Sequence, residues 1–214
     1  MRFPPMAAGL AVCFFLSACN EHIVEVPTGI EPEPVPSWEA PADKLVDRNL
    51  RDRGETWTGD EFDWGGYAGF AGADAWSGPW SEEGEADNPD RGNIQIVSDA
   101  SCSDGSCLRI KGSRHGTSIS RGLNLEAAIS ARLEMATAGE RLRDGFSIEV
   151  SGSGREWTTI YLADGDARQQ VSLDVSDFAA ADFRIRLSSG ERSSGNWFVD
   201  DLAVYYTSLL STNQ

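Results

Sequence analysis

Three groups of residues have the types and spacing to do chemistry. Cys102 and Cys107 bracket Ser-Asp-Gly-Ser. Asp104-Gly105 is a hairpin-turn signal, so the two sulfurs can face each other across a short loop. In an oxidising compartment they pair as a disulfide. The alternative is a CxxxxC metal clip, but no further Cys or neighbouring His completes four ligands. Trp57, Trp64, Trp76 and Trp80 crowd into one span that contains no Lys or Arg. Sugar rings stack on exposed aromatic faces. Trp64, Tyr67, Trp76 and Trp80 are candidates for that role, with Asp74 or Glu82 taking hydroxyls. The opposing reading is that these tryptophans fill the core or pin a Gly-rich loop, since Trp is highly buried on average. Third, Asp200 lies in Gly195–Tyr206, a closing strand in which period-2 alternation puts Phe198, Leu202 and Val204 on one face. Asp200 falls on that face, and a buried carboxylate needs a cation, a metal or hydrogen-bond donors.

Catalysis has little to work with. His115 is the one histidine of the C-terminal domain, since His22 lies upstream. No nucleophile-elbow motif accompanies it, and His-rich metal sites are excluded by count. Glu61-Phe-Asp63 is faintly similar to the Glu-x-Asp-x-Glu motif of sandwich-fold glucanases, but position 65 is Gly. Paired-carboxylate hydrolysis would have to use residues distant in sequence. Ser151–Trp157 resembles part of an Asp-box without its Asp, and that motif is a hairpin feature.

The elements that must position these residues read as strands. Ile94/Ile96, Leu108/Ile110, Leu133/Met135, Phe146/Ile148/Val150, Val171/Leu173/Val175 and Phe183/Ile185/Leu187 each alternate with polar residues. Glu61–Trp64, Thr117–Arg121 and Trp157–Leu162 add three more strands, and Gly195–Tyr206 closes the set. About ten short strands with Gly-rich turns between them predict an all-β antiparallel β-sandwich of the jelly-roll kind. Helix is expected only as single turns, at Glu126–Ile129 or Ser176–Ala180.

The chain of 214 residues carries a formal charge of −16 and has a pI near 4.4. That balance argues against nucleic acid, because phosphate binding needs a basic patch. It equally argues against adhesion to anionic lipid through charge. Solubility alone accounts for an acidic surface, and divalent cations and neutral sugars are compatible with it.

The N-terminus predicts export. Arg2 gives a thin positive region, and Met6–Leu16 is an apolar run of signal length, too short to span a bilayer comfortably. Leu16-Ser17-Ala18-Cys19 resembles the bacterial lipobox, which implies acylation of Cys19 with palmitate-type chains and membrane anchoring through that lipid. Two or three acyl chains anchor stably where one is marginal. Asn20 follows in place of the retention Asp of enteric bacteria, so the expected location is the outer membrane of a bacterial cell envelope. The alternative is a secreted protein cut nearby. The chain then divides into a signal at 1–18, an acidic Pro-rich linker at 19–54, a sandwich at 55–208 and a tail at 209–214. The linker favours extended polyproline II and spaces the domain from the lipid.

The strand order from Phe62 to Tyr205 resembles the jelly-roll domains of the galactose-binding-like and MAM-type group. The motifs are Phe62-Asp-Trp-Gly65, Ile119-Ser-Arg121, Val150-Ser-Gly-Ser-Gly-Arg-Glu-Trp157, Asp174-Val-Ser-Asp-Phe178, Ile185-Arg-Leu187 and Val199-Asp-Asp-Leu202. The resemblance implies a structural Ca²⁺ tying the opening strand to the closing one, with Asp63 and Asp200 as ligands. Calcium accepts several hard oxygens in irregular geometry. Asp200 bonding to backbone N–H groups or Arg is the alternative. The loop after the first strand is longer and richer in Trp than in that group. The expected role is a lipid-anchored surface module that binds glycan or a partner protein without catalysis. A structural or assembly lipoprotein with no sugar ligand is the competing class, and a small hydrolase the third.

Overall fold

The computed structural model describes residues 55–143 and 145–208. The signal segment, Cys19, the linker and the tail lie outside the described residues. Among the described residues, twelve strands form two antiparallel sheets. The first sheet runs β10(Gln169–Asp174), β7(Ala128–Arg143), β12(Ser194–Ser208), β1(Glu55–Asp60), β2(Ala71–Gly72), with β5(Cys107–Lys111) and β4(Ile94–Val97) joined to another stretch of β12. The second runs β3(Ser81–Glu83), β6(Thr117–Leu123), β11(Phe183–Ser189), β8(Phe146–Ser151), β9(Thr158–Leu162). The all-β sandwich read from the alternation is therefore what forms.

Its core is the inward half of that alternation. Phe146, Ile148 and Val150 on β8 and Phe183, Ile185 and Leu187 on β11 are each no more than 1% exposed. Trp197 crosses from β12 to meet Phe146 edge-on at 6.2 Å, a favoured aromatic geometry. A single 3-10 turn at Ser176–Phe178 is the only helical element among the described residues. It matches one of the two expected turns, whereas Ala128 already begins β7.

The closing strand departs from the sequence reading. Phe198, Leu202 and Val204 do not share a face. Asp201 sits at φ 51° and the β12–β7 register shifts between Asp200 and Ala203. This bulge inserts one extra residue in β12 and reverses the phase of the alternation. Before it, Trp197 and Val199 face the main core; after it, Leu202, Val204 and Tyr206 do. Phe198 packs on the other side with Cys102, Cys107 and Ala138. The first strand also differs. It is Glu55–Asp60, paired along its length with Thr207–Leu202, and Glu61–Trp64 is turn. Trp57 stacks on Tyr205, its directly opposite partner, at 6.2 Å.

Candidate functional site

The tryptophan-rich loop is built around one buried ion pair. Asp60 (1% exposed) accepts from Phe62 N through Oδ1, and from Trp80 Nε1 and an Arg121 guanidinium nitrogen through Oδ2, at 2.9, 2.9 and 2.6 Å. Arg121 also donates to Gly69 O and Gly78 O, and Trp76 Nε1 donates to Gly59 O. The guanidinium carbon stands 5.0 Å over the Trp76 ring and 5.8 Å over Trp80. Burial pushes Asp60 above the usual carboxylate range and pushes Arg121 down to about 10, while their mutual attraction opposes both.

This overturns the stacking platform expected at Trp64, Tyr67, Trp76 and Trp80. Tyr67, Trp76 and Trp80 are 8%, 7% and 1% exposed, with their polar atoms committed inward. The Tyr67 hydroxyl donates to Glu82 Oε1 at 2.5 Å, and Tyr206 donates to Asp74, so both expected hydroxyl-binding acids are engaged as well. Trp64 alone remains open, at 77%. The physical reason is the indole N–H. Each buried Trp here finds a carboxylate or carbonyl acceptor, which lets the ring contribute its full apolar area to the core.

Asp63 and Asp200 converge on a single loop, the one closed by the Cys102–Cys107 disulfide. Asp63 Oδ1 accepts from Ser106 N at 2.9 Å, and Asp200 Oδ2 accepts from Ser103 N at 2.7 Å. Asp200 is 4% exposed and its Oδ1 accepts from Asp201 N. Burial, then the neighbouring Asp201 charge, push Asp200 up to about 7 against those N–H bonds. Among the described residues no three His, Cys, Asp or Glu form a ready metal cage. The backbone-bonded alternative for Asp200 is thus the arrangement present.

The residues that sequence reasoning missed lie on the outer face of the five-stranded sheet. Strand register lines up Ser81, Ser120, Arg186, Glu149 and Thr159 as one row crossing β3, β6, β11, β8 and β9. The next row is Glu83, Ser118, Ser188 and Ser147. Arg186 is the hub. Its Nε donates to Glu149 Oε2 at 2.6 Å, another guanidinium nitrogen stands 3.8 Å from Glu83, and its carbon lies 4.2 Å over the Trp157 ring. Gly122 and Ser120 on β6 lie directly beside the long Arg184 and Arg186 of β11. A cleft of about 280 Å³ opens where Ser81, Ser120, Gly122 and Arg184 meet Pro79. The face therefore offers the hydroxyls of Ser81, Ser147 and Ser188, one fixed guanidinium, the exposed Glu83 carboxylate and one indole, while Ser118 and Ser120 are buried at 7% exposure. Such groups bind polyhydroxylated ligands. The signal in sequence was the polar half of each alternation, which carries Ser and Arg where solvent-facing strands often carry Lys and Glu.

The sequence matches no family model and no curated protein. Solved structures do share a likeness. TmCBM61 in complex with β-1,4-galactotriose is 15% identical over 67% of this chain and 92% of its own, with a TM-score of 0.48. The CBM22-1 xylan-binding domain of Paenibacillus barcinonensis Xyn10C is 10% identical over 71% and 94%, with a TM-score of 0.49. A variant of CBM29-2, a family 29 carbohydrate-binding module complexed with cellulohexaose, is 15% identical over 71% and 91%, at 0.45.

Proposed function

We propose that this chain is an exported, lipid-anchored surface module that binds a neutral glycan across the outer face of its five-stranded sheet, without catalysis. The observation that carries the reading is the row centred on Arg186. A guanidinium clamped by Glu149 and stacked on Trp157 is preorganised, so little side-chain entropy is lost when a ligand docks. Rings and hydroxyls are matched by an indole and serine hydroxyls. Export and anchoring rest on the Leu16–Cys19 motif, with Cys19 as the acylated residue and the outer membrane as the location. A Cys19→Ser variant is expected to lose labelling by a palmitate analogue, and retained label would remove the anchor from the reading.

The test of glycan binding is calorimetric titration of the protein with β-1,4-galactotriose, xylo-oligosaccharides and cellohexaose. Arg186→Ala and Trp157→Ala are expected to abolish heat release at ligand concentrations that saturate the parent, with thermal unfolding little changed. Trp64→Ala is expected to leave binding intact. Failure of every oligosaccharide would favour a protein partner for the same polar face. A partner protein is the second reading because the Arg186 row is charged as well as hydroxylated.

A further inference from the structure

We propose a second binding site, for a carboxylate- or phosphate-bearing saccharide, in the cleft where β5, β7 and β12 meet. It is separate from the Arg186 row and does not depend on it. The cleft holds about 580 Å³ and is lined by Lys111, Arg141 and Arg143, with Glu140, Asp166 and Asn196. In a chain of charge −16 this is a local excess of cations.

The two acids are occupied and the three cations are not. Glu140 accepts from Asn196 Nδ2 at 2.8 Å, and Asp166 accepts from Leu142 N at 2.8 Å. Lys111, Arg141 and Arg143 are exposed, and among the described residues none of them forms an ion pair. The lining thus sets three cations against two acids, a formal excess of one positive charge in an otherwise acidic molecule.

The backbone is also shaped for this cleft. Ser194 pairs with Arg143 and Asn196 with Glu140, so β7 carries one extra residue there. Arg141 takes φ 56°, an uncommon conformation for a non-glycine residue. Gly195 opposite it sits at φ 96°, and a Cβ there would meet Arg141 O at 2.3 Å. A bulge re-aims side chains, and here Arg141, Leu142 and Arg143 all reach the same cleft wall. Each of the two arginines on that wall carries a guanidinium fork whose paired donors match carboxylate or phosphate oxygens.

The rest of the molecule sets the charge density of the ligand. A dense polyanion would be repelled by the acidic surface. A saccharide with one oxyanion per ring or fewer meets the cleft locally, since other charges are screened beyond about 8 Å at physiological ionic strength. The position favours a polymer over a headgroup of the anchoring membrane. Residue 55, where the chain enters the sandwich, pairs with Thr207 at the opposite end of β12 from Ser194.

The experiment titrates the full chain with trigalacturonate, with neutral galactotriose, and with inorganic phosphate. Trigalacturonate is expected to bind, and the paired substitution Arg141→Gln with Arg143→Gln is expected to weaken it by about tenfold or more. Lys at both positions should restore most of the affinity, and Glu140→Gln should tighten it. Phosphate that competes with trigalacturonate points to a general oxyanion site, and phosphate that does not points to a carboxylate-specific one; both support a cleft site when the paired Gln variant is impaired. Trp64→Ala, which lies in neither site, is expected to leave trigalacturonate binding unchanged. The proposal is overturned if trigalacturonate fails to bind, if the paired Gln variant binds it as the parent does, or if only Trp157→Ala impairs it.

Discussion

Arg121 and Asp60 show how one residue can organise a loop that is otherwise Gly and Trp. Arg121 joins β6 to the carbonyls of Gly69 and Gly78, and Asp60 supplies the acceptor for the Trp80 indole. Arg121→Met leaves a buried carboxylate without its cation and is expected to cost about 3–5 kcal/mol in urea unfolding. Adding Asp60→Asn should recover part of that loss, because the two sites are directly coupled. Asp200 makes the opposite kind of statement. Its folded pKa lies above its unfolded value of 3.8, near 7. Between those values the folded chain keeps a proton that the unfolded chain releases, so stability falls as pH rises from about 4 to 7 and levels off above. Burial also pushes Glu61, Glu82 and Asp201 upward, which adds the same sign. Melting temperature is expected to be higher at pH 5 than at pH 8, and Asp200→Asn should flatten the slope.

At the scale of elements, the disulfide loop is a joint. It lies beside the β12 bulge and donates backbone hydrogen bonds, from Ser106 N to Asp63 and from Ser103 N to Asp200. Reduction is expected to cost about 2 kcal/mol by loop-closure entropy, and hydrogen exchange at Ser103 and Ser106 should quicken with it. A calcium ion recruited to these carboxylates would raise the melting temperature. At saturation of 100 times its Kd the gain is about 2.7 kcal/mol. Unfolding in calcium and in chelator measures it, and coincident curves would remove the ion from this protein. Most of the strands were legible because their inward residues alternate without interruption. Phe183, Ile185 and Leu187 are a clear example. The bulge at Asp201 was not legible, since a single residue in the left-handed region leaves no periodic trace and yet inverts every face after it. The Trp loop failed for a related reason. The same Trp-Gly-acid composition suits an open platform or a buried knot, and the deciding partner, Arg121, lies far away in sequence. The Arg186 row escaped because its members sit on five strands and touch only through register.

For the whole molecule, net charge is the property that no single contact reports. A formal charge of −16 repels itself in the compact state and less so in the expanded one. Added sodium chloride is expected to raise the melting temperature at pH 8, through screening, with a smaller gain at pH 5, where several raised carboxyls are already neutral. A second property concerns force. β1 lies antiparallel along β12, and residue 55 leaves it beside Thr207. A pull on the segment preceding residue 55, resisted by anything held at the Ser194 end, acts along the strand axis. The ladder from Glu55 to Asp60 is then loaded in shear, with its hydrogen bonds strained together instead of opened in turn. A sandwich held in this way would resist a steady drag on the segment before residue 55 better than one pulled from the end of a hairpin.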